Sequence, residues 1–204
     1  MENAIRGSMK ASEIMTFHEG DPNENPWVDD EPRKEDITVV AYSSDWSTAF
    51  EIQREKIANE LGELALTIEH IGSTAVPALP AKPVIDIDLI VTDPESEDAY
   101  VPSLKALGYE LTVRERSWYR HRMLRLDHPR VNLHVFGHDC PEHLRHLLFR
   151  DWLLACPDDR QHYADAKLSA KRGVDNAHDY NQKKQAVVRE IYQKIFASRG
   201  WLPT

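Results

Sequence analysis

The segment Val84-Ile-Asp-Ile-Asp-Leu-Ile-Val91 constrains this chain more than any other. Successive side chains of a strand point to opposite faces, so Ile85, Ile87 and Leu89 form one apolar face while Asp86 and Asp88 share the other. A run this apolar predicts a central strand, where two carboxylates are costly unless something compensates them. Side by side they repel, which favours a cation between them. Mg²⁺, or Mn²⁺ in its place, suits such a pair, because Mg²⁺ takes one or two carboxylates and completes its shell with water and substrate phosphates. The competing reading is a strand whose polar face is simply solvated.

Upstream, Leu66 to Ile71 reads as another strand and runs directly into Gly72-Ser73-Thr74. Glycine lets a backbone approach a ligand closely, and exposed N–H groups with a hydroxyl beside them hold phosphate. A Gly-Ser turn is often only a turn. Twelve residues separate Ser73 from Asp86, however, so the two features fall on consecutive strands.

The rest of the pattern follows from periodicity and punctuation. Ile37-Thr-Val-Val40 reads as a short β-rich run, and Trp46, Phe50, Ile57 and Leu61 fall near one face of a helix that ends before Gly62. A helix over 95–107 follows the Asp-rich strand, then strands near 109–113, 118–126 and 131–136, the last two joined at Asp127-His128-Pro129-Arg130. After Pro141 three helices are expected, over 142–155, 159–172 and 178–198. Mixed strands and helices followed by helices alone indicate an α+β domain over 37–204.

Residues 1–36 differ from the rest. They carry ten acidic and four basic side chains, a balance of −6, which leaves −3 of the total −9 for the other 168 residues. With almost no apolar periodicity, the segment reads as a disordered acidic arm. Gly7-Ser8-Met9 reads as a cloning junction, which would make Met1–Ser8 non-native. An acidic arm on a nearly neutral body argues against non-specific nucleic-acid binding. No run approaches the roughly 18 apolar residues of a membrane span. With two cysteines and no apolar leader stretch, the expected location is the cytoplasm.

The spacing of the Gly-Ser corner to Asp-x-Asp on the next strand resembles the nucleotidyltransferase superfamily signature. More narrowly, Glu69-His-Ile-Gly-Ser-Thr-Ala-Val-Pro-Ala-Leu-Pro-Ala-Lys-Pro-Val-Ile-Asp-Ile-Asp88 resembles the hallmark of the GrpB family, also known as UPF0157. The likeness continues through Asn132-Leu-His-Val-Phe136, Phe149-Arg-Asp-Trp-Leu153, Tyr163-Ala-Asp-Ala-Lys167 and Tyr180-Asn-Gln-Lys183. It implies a nucleotidyltransferase-like mixed sheet flanked by helices, with a C-terminal helical section. It further implies that Gly72 and Ser73, with Thr74 beside them, contact nucleotide phosphates and that Asp86 and Asp88 bind the metal. Active nucleotidyltransferases usually carry a third carboxylate on a later strand, where this chain has His134. An imidazole accepts a proton near neutrality but supplies no negative charge.

Several cations are candidates for holding phosphate. Lys82 precedes the carboxylate strand, and Arg120 and Arg122 share a face of the expected 118–126 strand. Arg150, Lys167, Tyr180 and Lys183 lie in the later motifs, on helices that would close the pocket. Each has a plainer reading, solvated or paired with acids; for Arg150 and Lys167 the acids would be Asp86 and Asp88. His134, His138, Cys140, His143 and His146 raise a zinc reading, but their spacing matches no standard template.

Two functions follow. The first is a metal-dependent nucleotide-binding enzyme, acting on a nucleoside triphosphate or other small phosphorylated ligand and an unknown acceptor, with Asp86, Asp88 and His134 catalytic. The second is a non-catalytic accessory module that retains an anion pocket. The family resemblance supplies this alternative, since such domains occur fused to dephospho-coenzyme A kinase and are described as accessory or folding-related.

Overall fold

The computed structural model describes residues 9–31, 38–171 and 177–202, without the side chains of 177–181. Five strands, β1 (Thr67–Ile71), β2 (Ile85–Val91), β3 (Glu110–Glu115), β4 (His121–Leu126) and β5 (Val131–Gly137), form one sheet in the order β1-β2-β5-β4-β3. β2 and β5 run parallel and every other neighbouring pair is antiparallel. The described helices are α1 (Ala11–Met15), α2 (Asp45–Leu61), α3 (Glu97–Ala106), α4 (Pro141–Ala155), α5 (Pro157–Ala170) and α6 (Ala177–Ser198). The expected α+β architecture is the one found, with a mixed sheet and a helical C-terminal section.

Alternation along β2 divides the sheet into an apolar and a polar face. Ile85, Ile87, Leu89 and Val91 pack with Val131, Leu133 and Val135 of β5 and Leu124 of β4. Against them lie Trp46, Phe50, Ile57 and Leu61 of α2 and Tyr100, Val101 and Leu104 of α3. Each aliphatic side chain fully buried there contributes about 1.5–3 kcal/mol. α2 stops at Gly62, whose φ of 54° lies in the left-handed region. A second core joins Leu153 of α4, Tyr163 and Ala164 of α5 and Ile191, Tyr192, Ile195 and Phe196 of α6 to Val76 and Leu79. Trp201 stacks on Phe196 at the end of the described chain.

Three local expectations need correction. β4 begins at His121 rather than Trp118, because Tyr119 and Arg120 have φ of 53° and 54° and turn the chain before the strand starts. Of the β-rich run 37–40, Val40 makes an isolated bridge to Ala81, and Ile37 lies outside the described residues.

The third correction concerns the acidic arm. Residues 1–8 and 32–37 lie outside the described residues, but residues 9–31 are packed against the body. Ile14 is buried, and Arg145 of α4 donates to the Ile14 and Thr16 carbonyls at 2.7 and 3.0 Å. Glu24 accepts the backbone N–H groups of Arg116 and Ser117, and Trp27 bridges to Val113 on the otherwise open edge of β3. Single anchors hold this stretch with no periodic pattern to announce them.

Candidate functional site

The polar face of the sheet carries the site. Asp86 and Asp88 project from β2 beside Asn132 and His134, their register partners on β5. α4 lies over this face, and His143, His146 and Arg150 reach the sheet from positions i, i+3 and i+7, one helical side. β2 lies one strand in from the β1 edge and beside its parallel neighbour β5, so both aspartates are flanked by strands on either side.

The expected corner and carboxylate do meet. Ile71 pairs with Asp86, so Gly72 passes directly over the Asp86 side chain. A Cβ at Gly72 would sit 2.7 Å from Asp86 Oδ2, and its φ of 69° is also one that L side chains rarely adopt. The close approach for which this glycine is needed is therefore to the carboxylate itself. Ser73 opens a short 3-10 turn and hydrogen-bonds with the Tyr163 phenol, whose ionisation burial pushes up to about 12. Thr74 is buried and faces the protein: its hydroxyl donates to the Val84 carbonyl at 3.1 Å and lies 3.0 Å from His70 Nε2. Thr74 thus fixes the turn, contrary to its expected role as a phosphate contact.

Asp86 is partly open, with 29% of its side chain exposed. Asn132 Nδ2 donates to its Oδ1 at 2.9 Å, and His134 Nε2 lies 3.9 Å from the same oxygen. Burial opposes its ionisation, but His134, Asn132 and Lys82 together hold its pKa below the usual carboxylate value. Lys167 is buried on α5 and donates to the Pro80 carbonyl at 2.6 Å. Burial first, then repulsion from Lys184, bring Lys167 down to about 7, while Asp86 pulls it upward. Lys184 on α6 is brought down to about 8 by burial against the same attraction. Lys82, Lys167 and Lys184 thus each interact electrostatically with the Asp86 carboxylate beside the Gly72-Ser73 corner.

Asp88 has a different environment. It is fully buried, with His143 Nδ1 at 2.8 Å and His146 Nδ1 at 2.9 Å from Oδ2 and at 3.2 Å from Oδ1. Burial raises its pKa, but the two imidazoles overcome that and hold it well below the usual range. Burial likewise works against a charged His146, yet Asp88 raises its pKa to about 9. His146 is therefore an imidazolium at neutral pH, already supplying the positive charge expected from a metal. A magnesium site needs carboxylate oxygens open to the ion and to water. Here Asp88 is sealed, the adjoining donors are imidazole nitrogens, and only Asp86 remains accessible. As folded, the aspartate pair offers Mg²⁺ or Mn²⁺ a single accessible carboxylate, that of Asp86.

Other expected site residues are placed elsewhere. Arg122 points to the opposite, α3-side face and donates to Glu97 at 2.6 Å. Arg120, in the turn before β4, pairs with Asp93 at 3.0 Å. Arg150 binds Glu69 at 2.8 Å and the His70 carbonyl at 2.9 Å, so it braces β1 rather than neutralising either aspartate. Lys183 is exposed, whereas its neighbour Lys184 is partly buried and acts on Asp86. The Tyr180 side chain lies outside the described residues. Of the zinc candidates, His138 is exposed and pairs with Asp139, and burial pushes the Cys140 thiol up to about 12. Among the described residues no group of three or more His, Cys, Asp or Glu is placed to hold a metal.

Sequence reasoning did not single out Asn132, Tyr163, Lys184, His70 or His121 as site residues. Asn132, Tyr163 and His70 stood inside motifs of the family likeness without a role. The pairing of His143 with His146 on one helical side was legible, but not their partner on β2.

Known proteins resemble the chain over most of its length. The family model described as GrpB protein matches residues 36–194. A UPF0157 protein of Halalkalibacterium halodurans is 40% identical over 168 residues, spanning 82% of this chain and 86% of that protein. A dephospho-CoA kinase of Mycolicibacterium paratuberculosis is 31% identical over 201 residues, spanning 82% of this chain but 48% of the kinase. The crystal structure of conserved protein GrpB from Enterococcus faecalis aligns with a TM-score of 0.70 at 31% identity, covering 79% of this chain and 99% of that one.

Proposed function

The chain belongs to the GrpB family, and from that premise we propose that it binds a small phosphorylated ligand of the nucleoside-triphosphate class at the Gly72-Ser73 corner. One observation carries this reading: Lys82, Lys167 and Lys184 all interact electrostatically with the carboxylate of Asp86, and burial lowers the pKa of both Lys167 and Lys184. Crowded, partly desolvated ammonium groups are costly to keep charged, and an anion arriving among them relieves that cost. Bound phosphate would hold Lys167 and Lys184 fully protonated. The backbone at Gly72 and Ser73 supplies N–H groups next to these cations, and Asp86 with His134 would face the part of the ligand bearing O–H or N–H groups. With His146 already compensating Asp88, lysines rather than a metal between the aspartates provide the positive charge.

Titration calorimetry with ATP, with and without Mg²⁺, tests the reading. Wild-type protein should bind ATP without Mg²⁺, and Lys167→Met should weaken binding at least tenfold, about 1.4 kcal/mol. Inorganic triphosphate as a second probe separates recognition of phosphate from recognition of the nucleoside. No binding of either probe at millimolar concentration would overturn the proposal.

A second reading, binding without group transfer, is favoured by the sealing of Asp88. Transfer of a nucleotidyl group ordinarily draws on carboxylates open to a metal, and this one is closed. Similarity to part of a dephospho-CoA kinase is compatible with an accessory role in this chain too. Labelled ATP incubated with the protein and common acceptors distinguishes the two: release of pyrophosphate that Asp86→Asn abolishes supports transfer, and binding with no release supports the module.

A further inference from the structure

The leading stretch adds a side chain to the polar face of the sheet. Register partners share a face, and one row of them crosses this one. Trp27 pairs with Val113 on β3, Val113 with Met123 on β4, Met123 with His134 on β5, and His134 with Asp88 on β2. The backbone bonds flanking the first pair run from the Val28 N–H to the Thr112 carbonyl at 3.1 Å and from the Arg114 N–H to the Pro26 carbonyl at 2.8 Å. Trp27 and Val113 are therefore a non-hydrogen-bonded pair, the kind whose side chains stand closer together. Val28, the next residue, packs on the core of the opposite face, as alternation requires.

The two halves of the polar face differ. Over β1 and β2 it is closed by α4, whose His143, His146 and Arg150 reach Asp88 and Glu69. Over β5 and β4 it is more open: Asn132, His134 and Met123 keep partial exposure, as does Trp27 beyond them. Among the described residues, Trp27, Val113 and Met123 belong to none of the hydrophobic clusters. Val113 is nonetheless only 5% exposed, flanked in the row by the other two. An indole and a thioether thus stand on the same face as Asp86, at the end away from the Gly72-Ser73 corner.

We propose that Met123 and Trp27 are the floor and far wall of a subsite for a planar heterocyclic base, carried by the same ligand whose phosphates occupy the Gly72-Ser73 corner. The inference rests on the phosphate reading of that corner. Neighbouring strands lie about 4.8 Å apart, so β4 is about 10 Å from β2, with β5 between them. A sugar bridges that step, with phosphate at the corner, ribose over Asn132 and base over Met123. The π-face of a base suits both partners, a flat indole and a polarizable thioether. Stacking recognises the ring rather than its substituents. The subsite therefore separates nucleotides from bare polyphosphate without choosing among bases. Trp27 also stands before the span that the family model matches, so a residue outside that span serves the site.

Methionine methyl NMR on the full chain, titrated with ATP and separately with inorganic triphosphate, tests this. The chain has four methionines, so the spectrum is sparse, and Met123→Leu assigns the signal. The Met123 methyl should shift with ATP, because the ring current of the base falls on it, and stay in place with triphosphate. In titration calorimetry Trp27→Leu should weaken ATP binding roughly fivefold or more, the loss expected for one stacked base, while triphosphate affinity is unchanged. Trp27→Phe should recover most of the ATP affinity. If Trp27 only anchored the leading stretch, Trp27→Leu would change both probes together, and that outcome overturns the proposal. So does an ATP affinity that Trp27→Leu leaves alone, or a Met123 signal that ATP does not move. The wild-type spectrum decides even where a variant folds poorly. Triphosphate binding with a Met123 signal unmoved by ATP sinks the base subsite alone, whereas no binding of either probe removes the phosphate corner and the subsite with it.

Discussion

Gly72 shows how one missing atom shapes the site. Its φ of 69° and the 2.7 Å between a notional Cβ and Asp86 Oδ2 leave no place for a methyl group. Gly72→Ala should cost roughly 2 kcal/mol of stability, measured by urea denaturation, since a strained backbone position alone costs 1–3. Asp88 is the other residue on which much depends. His146→Gln leaves a buried carboxylate with one imidazole instead of two, and loss of a buried ionic partner costs about 3–5 kcal/mol. Adding Asp88→Asn should recover part of that loss, so the double variant should be less destabilised than the sum of the single ones. The penalty should depend on pH. His146 has its pKa raised from 6.5 to about 9, so its contribution is complete below about 6.5 and fades as pH rises through 9. Wild type and His146→Gln should therefore converge in stability across that interval. Asp86 and Asp88 were legible in sequence as a pair on one strand face. Their different surroundings were not, because the imidazoles that distinguish them arrive from a helix 55 and 58 residues later.

At the scale of elements, strands were easier to read than their surroundings. β2 declared itself through Ile85, Ile87 and Leu89 on one side and two acids on the other. Arg122 was placed on a strand correctly, but Arg120, expected to share its face, lies in the turn before β4 because the expected strand was started three residues early. The positive φ at Tyr119 and Arg120 reorients the chain there, and neither residue is a glycine that would have signalled it. Glu97 on α3 now gathers Arg114 and Arg122, at 2.7 and 2.6 Å, and ties that helix to β3 and β4. Glu97→Gln leaves Arg122, 3% exposed, without a charged partner. It should destabilise the protein by about 1–3 kcal/mol, read by thermal denaturation, while leaving ATP affinity unchanged because α3 lies across the sheet from the lysines.

For the molecule as a whole, acid should be the vulnerable direction. His70 and His121 are both held at about 4 by burial, so between about 6.5 and 4 the unfolded chain binds protons that the folded one refuses. Stability should fall over that interval, by at most about 2.7 kcal/mol per pH unit from these two groups, as followed by denaturation at a series of pH values. The α+β class and the catalogue of elements could be read from periodicity, whereas the attachment of residues 9–31 could not. Arg145 buries its guanidinium completely, over the Phe17 ring and against Tyr119 and Glu142, and draws two carbonyls from that leading stretch. The family's shared span starts at residue 36. A gene trimmed to that boundary would encode a polypeptide whose deepest cation has lost two of its acceptors and its aromatic cover. Such a shortened product should be recovered mainly as insoluble material, so anyone expressing this protein should keep the codons for residues 9–31.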